Sequence, residues 1–167
     1  MRQRRTLHNI KGSIQEDITI INIYAPNIWA PQYVRQMLRS MKGEINSNTI
    51  IVGDFNTPLT PMERSTKQKI SKETSFKWYT GAVRPNDIYR TFHPKTMNFT
   101  FFSSAHRTFS RIDHILGHKS SFGKFKKIEI IPSIFSDHNA VRLDLNYRRK
   151  TIKNSNIWRL NNTLLNN

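Results

Sequence analysis

No cysteine occurs in the 167 residues. That excludes a disulfide scaffold, a thiolate nucleophile and any thiolate-ligated zinc site. Acid is scarce as well: eleven Asp and Glu stand against 27 Lys and Arg, a formal net charge of +16. Such a surplus repels a second copy of the chain and attracts a polyanion, so nucleic acid is the first partner to consider. Long apolar runs are missing too. Nothing approaches the roughly 20 residues of a membrane-spanning helix, and the basic N-terminus is not followed by the apolar stretch of a signal peptide. These absences point to an intracellular chain with no membrane partner. The run Met1-Arg2-Gln3-Arg4-Arg5 offers a basic tract of the kind that serves as a nuclear address.

What is present fits one α/β domain in size. The β-branched run ITIINIY, residues 18–24, ends at the turn signal Ala25-Pro26-Asn27 and predicts a buried strand. Pro31 suits a first helical turn, and Val34, Met37, Leu38, Met41 and Ile45 recur at intervals of three and four, which predicts a helix with one apolar face. Thr49 to Val52, closed by Gly53, reads as a second buried strand. Strands joined through such a helix lie parallel, with functional loops at their carboxyl ends. Tyr24, Asn27, Asp54 and Asn56 all fall there.

From Thr57 to Pro85 the chain is polar and weakly periodic, so a long surface excursion is expected, with a helical turn near Glu63 to Ile70. Asp87–Arg90, Phe99–Phe102, Arg111–Leu116 and Lys127–Ile131 each read as a short strand. Ala140 to Leu145 alternates apolar with charged residues, as a terminal strand with one wet face does. From Arg148 to Asn167 there are five basic and no acidic residues, which reads as a tail or linker.

Carboxylates set among so many cations suggest a metal or a charge-paired histidine. A hard divalent ion such as magnesium needs one or two carboxylates and keeps several waters. Asp54 and Asn56, as alternate residues of an extended segment, would face one pocket as a general base and a phosphate-binding amide. Gly-Asp-Phe-Asn is equally good turn chemistry, the Asp and Asn bonding their own backbone. His138 is the best catalytic histidine, because Asp113 on another strand can accept from one ring nitrogen and leave the other for a phosphate oxygen. A surface hydrogen bond is the alternative for any single Asp-His pair. His114 reads as structural, and His8, His93, His106 and His118 as solvated. Tyr24 and Asn27 can offer a phenol and an amide to a phosphate or merely cap a strand. Phe99, Phe101, Phe102 and Phe109 suit core packing better than base stacking. The basic runs Lys119–Lys127 and from Arg148 onward can neutralise phosphates or form solvated faces.

Six segments in collinear order, NIYAPN at 22–27, IVGDFNTP at 51–58, DIYRTFHP at 87–94, FTFFS at 99–103, SRIDHIL at 110–116 and SDHNAV at 136–141, resemble a known family. They are similar to the endonuclease domain of non-LTR retrotransposons of the long interspersed element type, within the endonuclease/exonuclease/phosphatase superfamily. The resemblance implies a DNase I-like α/β sandwich over residues 12–147, with 148–167 as a linker toward a reverse transcriptase. It implies a DNA endonuclease dependent on magnesium, or manganese in its place. In it Asp54 activates the attacking water, Asn56 holds the scissile phosphate, and His138, paired with Asp113, stabilises that phosphate. Asp137 contributes to metal binding with Ser136 beside it, Tyr24 and Asn27 match phosphate-contacting positions, and Thr100 matches a site-lining threonine.

The family pattern also begins with an asparagine strand and a strand bearing a principal metal-ligating glutamate, and neither has a counterpart here. The expectation is an incomplete sandwich whose inner sheet face is uncovered, with impaired catalysis or association with another chain. FKWYTGAVRP at 76–85 departs from the family's helical stretch. A non-catalytic basic nucleic-acid-binding fragment, or a degenerate transposon-derived reading frame, is the alternative function.

Overall fold

The computed structural model describes residues 5–10, 18–65 and 85–146. Strand β1 (Arg5–Ile10) pairs antiparallel with β2 (Ile18–Ile23), Ile10 opposite Ile18. Helix α1 (Ala30–Ser40) then leads to β3 (Thr49–Asp54), which lies parallel to β2 with Thr19 opposite Thr49 and Asn22 opposite Val52. The strand-helix-strand unit expected from the apolar spacing is therefore present. Its helix stops at Ser40, short of Met41 and Ile45, yet both of those remain buried with Ala30, Val34, Met37 and Leu38 against Ile21, Ile23 and Ile51. Each side chain so buried contributes about 1.5–3 kcal/mol, enough to hold an 11-residue helix that would be marginal in isolation.

Past β3 the chain makes a single 3-10 turn over Pro61–Glu63. The remainder of the helical turn expected up to Ile70, and nearly all of FKWYTGAVRP, lie outside the described residues. Strand β4 (Pro85–Asp87) runs straight into helix α2 (Ile88–Phe92). The sequence reading of Asp87–Arg90 as a strand is corrected here. The Asp87 carboxylate accepts a hydrogen bond from the Arg90 backbone N–H at 3.0 Å, an N-cap that outweighs the β-favouring Ile-Tyr pair. Strands β5 (Phe101–Ser103) and β6 (Thr108–Ser110) form a separate hairpin. Strand β7 (Asp113–His118) inserts antiparallel between β3 and β4, completing a five-stranded sheet ordered β1-β2-β3-β7-β4. A 3-10 turn over Lys119–Lys124 precedes β8 (Phe125–Ile131), which pairs antiparallel with β9 (Ala140–Leu145).

Alternation divides the sheet's side chains between two layers. Ile21, Ile23, Ile51 and Leu116 meet α1 on one face. Ile18, Ile50 and Ile115 on the other meet Ile88 and Tyr89 of α2 and Phe125 and Ile128 of β8. The expectation of a bare inner face is therefore corrected: side chains of the β8–β9 hairpin pack against it. Coverage is thin, because Ile20, Val52, Ile130, Val141, Leu143 and Leu145 are only partly buried. Among the described residues no helix is long and apolar enough to cross a membrane.

Candidate active site

The ends of β2 and β3 are fastened before any side chain is aimed. Ala25 N–H donates to the Asp54 carbonyl at 2.9 Å. Gly53 has φ 138°, and a Cβ there would sit 2.0 Å from the Ile23 carbonyl oxygen, so only glycine lets β2 and β3 approach this closely. Asp54 then enters a tight turn. Its Oδ1 accepts from Asn56 N–H at 2.8 Å, and Asn56 adopts the left-handed region at φ 48°. The Asn56 amide nitrogen donates to Ala25 O at 2.7 Å and to Asp54 Oδ2 at 3.2 Å. The segment is a turn and not the extended stretch read from the sequence, and the turn itself aims the carboxylate. Both amide hydrogens of Asn56 are engaged inward, so the group orients Asp54 in this state.

Asp113 stands directly across from Asp54 in the β3–β7 register. Its backbone is fixed by Thr100, fully buried, whose hydroxyl oxygen accepts from the N–H groups of Ile112 at 3.1 Å and Asp113 at 3.2 Å. His138 arrives on the loop between β8 and β9. That loop is tied to the β5 region on both sides of the histidine: Phe102 N–H donates to Asp137 O at 3.0 Å and Asn139 N–H to Thr100 O at 2.7 Å. The imidazole packs on the Phe101 ring at 4.8 Å and places Nδ1 2.9 Å from Asp113 Oδ2. With the Nδ1 hydrogen given to the carboxylate, Nε2 is left for another partner.

One ligand-type atom from each of Asp54, Asp113 and His138 lies within 4.8 Å of the others, all three side chains half-buried. Burial pushes the Asp54 carboxyl above its usual range and the Asp113 charge adds to this, against the Asn56 N–H and the His138 and His114 rings, which pull it down. Two carboxylates and an imidazole at this spacing form a donor set suited to a divalent cation, hard oxygens supplemented by a borderline nitrogen.

The other residues singled out by sequence scatter around this centre. Asn27 and Asn56 line one 640 Å³ cavity with Arg64, Phe101 and Phe109. Tyr24, half exposed, instead lines a neighbouring cavity that Asn27 shares. Ser136 is exposed and serves a local turn, its oxygen accepting from His138 N–H at 3.1 Å. Asp137 is exposed and stands outside the Asp54 group. His114 is buried between Asp87 Oδ2, at 3.3 Å from Nδ1, and Thr57 O, at 3.0 Å from Nε2, a structural placement. His93 is not solvated as expected: its Nε2 is 3.0 Å from Ile128 O, and its ring packs on Tyr89. Phe102 and Phe109, expected in the core, form a surface pair with rings 4.6 Å apart.

Sequence reasoning missed the group behind the site. Arg111, 1% exposed, bonds the fully buried Glu63 and, at 2.8 Å, Asp87, and its guanidinium lies over the Tyr89 ring. Glu63 also accepts from the N–H groups of Leu59 and Thr60. Burial pushes the Asp87 carboxyl up, but hydrogen bonds and charge from His114 and Arg111 prevail and hold it far below the usual carboxylate range. The spacing Thr-Pro-Met-Glu at 60–63 was the available signal, since a Glu in the third helical position bonds back to the turn's first amides.

With this geometry in place, comparisons identify the fold. The chain is 31% identical over 170 residues to the Transposon TX1 uncharacterized 149 kDa protein of Xenopus laevis, covering 96% of this chain and 13% of that one. Among solved structures it resembles the endonuclease domain of TRAS1, a telomere-specific non-LTR retrotransposon, at TM-score 0.63 and 12% identity, covering 86% of this chain and 64% of that one. An AP endonuclease from Archaeoglobus fulgidus matches at TM-score 0.62 and 18% identity, and the 3'-5' exonuclease NExo from Neisseria meningitidis at 0.57 and 20%, each covering 78% of this chain and 62% of the other. The chain thus spans a small part of its curated relative and under two thirds of each solved structure. The α/β sandwich is DNase I-like, as the motifs implied. Residues 11–138 match the Endonuclease/Exonuclease/phosphatase family, and the chain belongs to that family of hydrolytic enzymes.

Proposed function

We propose that this domain hydrolyses phosphodiester bonds of DNA with the help of a divalent metal, magnesium in the first place and manganese as a substitute, and that it derives from a retrotransposon endonuclease. The observation that carries the reading is the convergence of Asp54, Asp113 and His138 within 4.8 Å, though 84 residues separate the first from the last. In-line attack needs an oxygen nucleophile, stabilisation of charge on the phosphoryl oxygens and help for the leaving alkoxide. Asp54 takes the proton as the water oxygen bonds to phosphorus and the phosphorus–alkoxide bond breaks, the departing alkoxide oxygen taking a proton from solvent. His138 directs Nε2 at a phosphoryl oxygen, with Asp113 holding the ring. Asn56, once one inward bond is released, gives an amide hydrogen to the phosphate, and Tyr24 and Asn27 contact neighbouring phosphates. Thr100 acts through Asp113. Asp137, beside Ser136, completes the ion's surroundings from the loop. A bound divalent ion would supply charge neutralisation at the phosphate. Residues 12–147 form the nuclease unit in this reading, 148–167 the basic connector, and the nucleus is where DNA is met.

Two facts support weak rather than strong ion binding. Of the described acidic residues, only Asp54 and Asp113 come together with His138, Asp137 adding its charge from the exposed loop outside that group, and the net charge of the chain is +16. Activity of the chain by itself is therefore low and needs abundant metal. Supercoiled plasmid incubated with the protein and magnesium should be nicked slowly, with the activity lost in chelator and in His138→Ala. Nicking by His138→Ala at the wild-type rate overturns the reading. The surplus charge also supports a second reading, a basic nucleic-acid-binding module without catalysis. It prevails if binding is indifferent both to magnesium and to Asp54→Ala.

A further inference from the structure

The turn between β2 and α1 displays an aromatic side chain, Trp29, that the catalytic reading does not use. Trp29 is 72% exposed, and its backbone sits at φ 64°, ψ 23°, a region bulky L side chains rarely adopt. Its carbonyl accepts from Tyr33 N–H at 3.0 Å, which fixes the turn. A large apolar ring left mostly exposed on an unfavourable backbone is a combination that marks surface set aside for a ligand. Around it lies a cavity of 650 Å³. Tyr24, Trp29 and Tyr33 give it rings, while Gln32, Gln36 and Asn27 give it amides.

This cavity adjoins the catalytic face. Asn27 lines it and also lines the cavity that holds Asn56, whose amide bonds Asp54. A ligand reaching from one into the other carries a group suited to the carboxylate-imidazole centre at one end and a flat, polar-edged apolar group at the other. A nucleotide has this form: the base face stacks on an aromatic ring, and its edge exchanges hydrogen bonds with carboxamides. The chain's +16 charge favours a polyanion over an apolar peptide. We infer that the cavity at the β2–α1 turn is a nucleobase subsite, in which Trp29 stacks on an unpaired base of the strand whose phosphate lies at Asp54 and His138.

The inference rests on the DNA-cleaving reading but is tested apart from it. Trp29→Gly removes the ring while relieving the positive φ, so the fold is retained; Trp29→Phe keeps a ring. The full chain is titrated with gapped duplexes carrying one 2-aminopurine at successive unpaired positions, and fluorescence and affinity are read together. The wild type and Trp29→Phe should quench the probe at a particular position. Trp29→Gly should lose that quench and bind about tenfold or more weakly. Equal quenching, with affinity within about twofold, in Trp29→Gly overturns the subsite. Metal-dependent nicking by a protein with no Trp29 effect defeats the subsite and leaves the nuclease reading standing. A Trp29-dependent quench in a chain that never nicks supports the subsite and defeats the nuclease reading.

Discussion

At Gly53 the constraint is steric, and it decides whether the site exists. A methyl group there would meet the Ile23 carbonyl at 2.0 Å, and φ 138° already suits glycine alone. Gly53→Ala should therefore part the ends of β2 and β3 and cost about 3 kcal/mol or more, read from the urea midpoint. Asp113→Asn acts differently. The amide can still bond His138, but it no longer fixes the tautomer or supports charge on the ring, so nicking should fall on the order of 10²–10⁴-fold with the unfolding midpoint nearly kept. The pH profile separates this from a structural effect. Asp54 must be ionised to take a proton, and burial, then the Asp113 charge, raises its carboxyl. Removing that charge should move the acid limb of the residual activity to lower pH. A limb that stays or moves upward contradicts the assignment. Asp54, Asn56, Asp113 and His138 were legible as neighbours in short motifs. Glu63 and Arg111 were not, since 48 residues part them and each reads singly as a solvated charge.

Elements here are set by caps and by burial together, which explains where periodicity misled. The apolar stripe of α1 is visible in sequence because every stripe residue faces one core. Helix α2 is too short for a period to show, and only the Asp87 cap reveals it. That cap belongs to the buried charge group, where Arg111 lies between Glu63 and Asp87. Arg111→Met removes the guanidinium that Glu63 and Asp87 share, leaving Glu63 with the more distant Arg90 and Asp87 with His114, and should destabilise the domain by about 3 kcal/mol. The same group makes stability depend on acid. Asp87 is depressed in the fold, so the unfolded chain takes up its proton first, near the ordinary carboxylate pKa of about 3.9. Its contribution is complete above about pH 5 and disappears as pH falls below about 4. Unfolding midpoints measured across that window should fall with acid in the wild type and more gently in Arg111→Met. An equal slope in the variant would detach Arg111 from the Asp87 carboxylate.

For the whole molecule the sign of the charge was legible from composition, but its arrangement was not, because composition cannot place two carboxylates opposite each other on adjacent strands. In the proposed function a net +16 would draw DNA from a distance, while Asp54 and Asp113 would repel the one phosphate that must come closest. Sparse cover over Ile130, Val141 and Leu143 does not bear on this, as those residues lie among the second core cluster and not at the site. Phosphate neutralisation by basic side chains releases counterions, so affinity should fall about 10³–10⁵-fold between roughly 50 and 200 mM salt if about 6–10 phosphates are contacted. Magnesium discriminates further. As a competing counterion it can only weaken binding, whereas held between the two carboxylates it removes their repulsion and strengthens it. At constant ionic strength, magnesium should therefore tighten DNA binding by the wild type. In Asp54→Asn, where half the local negative charge is gone, binding without metal should be tighter than in the wild type, and magnesium should add little. Anisotropy titrations with a short duplex measure both. Weaker binding in magnesium by both proteins, to the same degree, would mean that the ion never enters the carboxylate pair and that the basic surface acts alone.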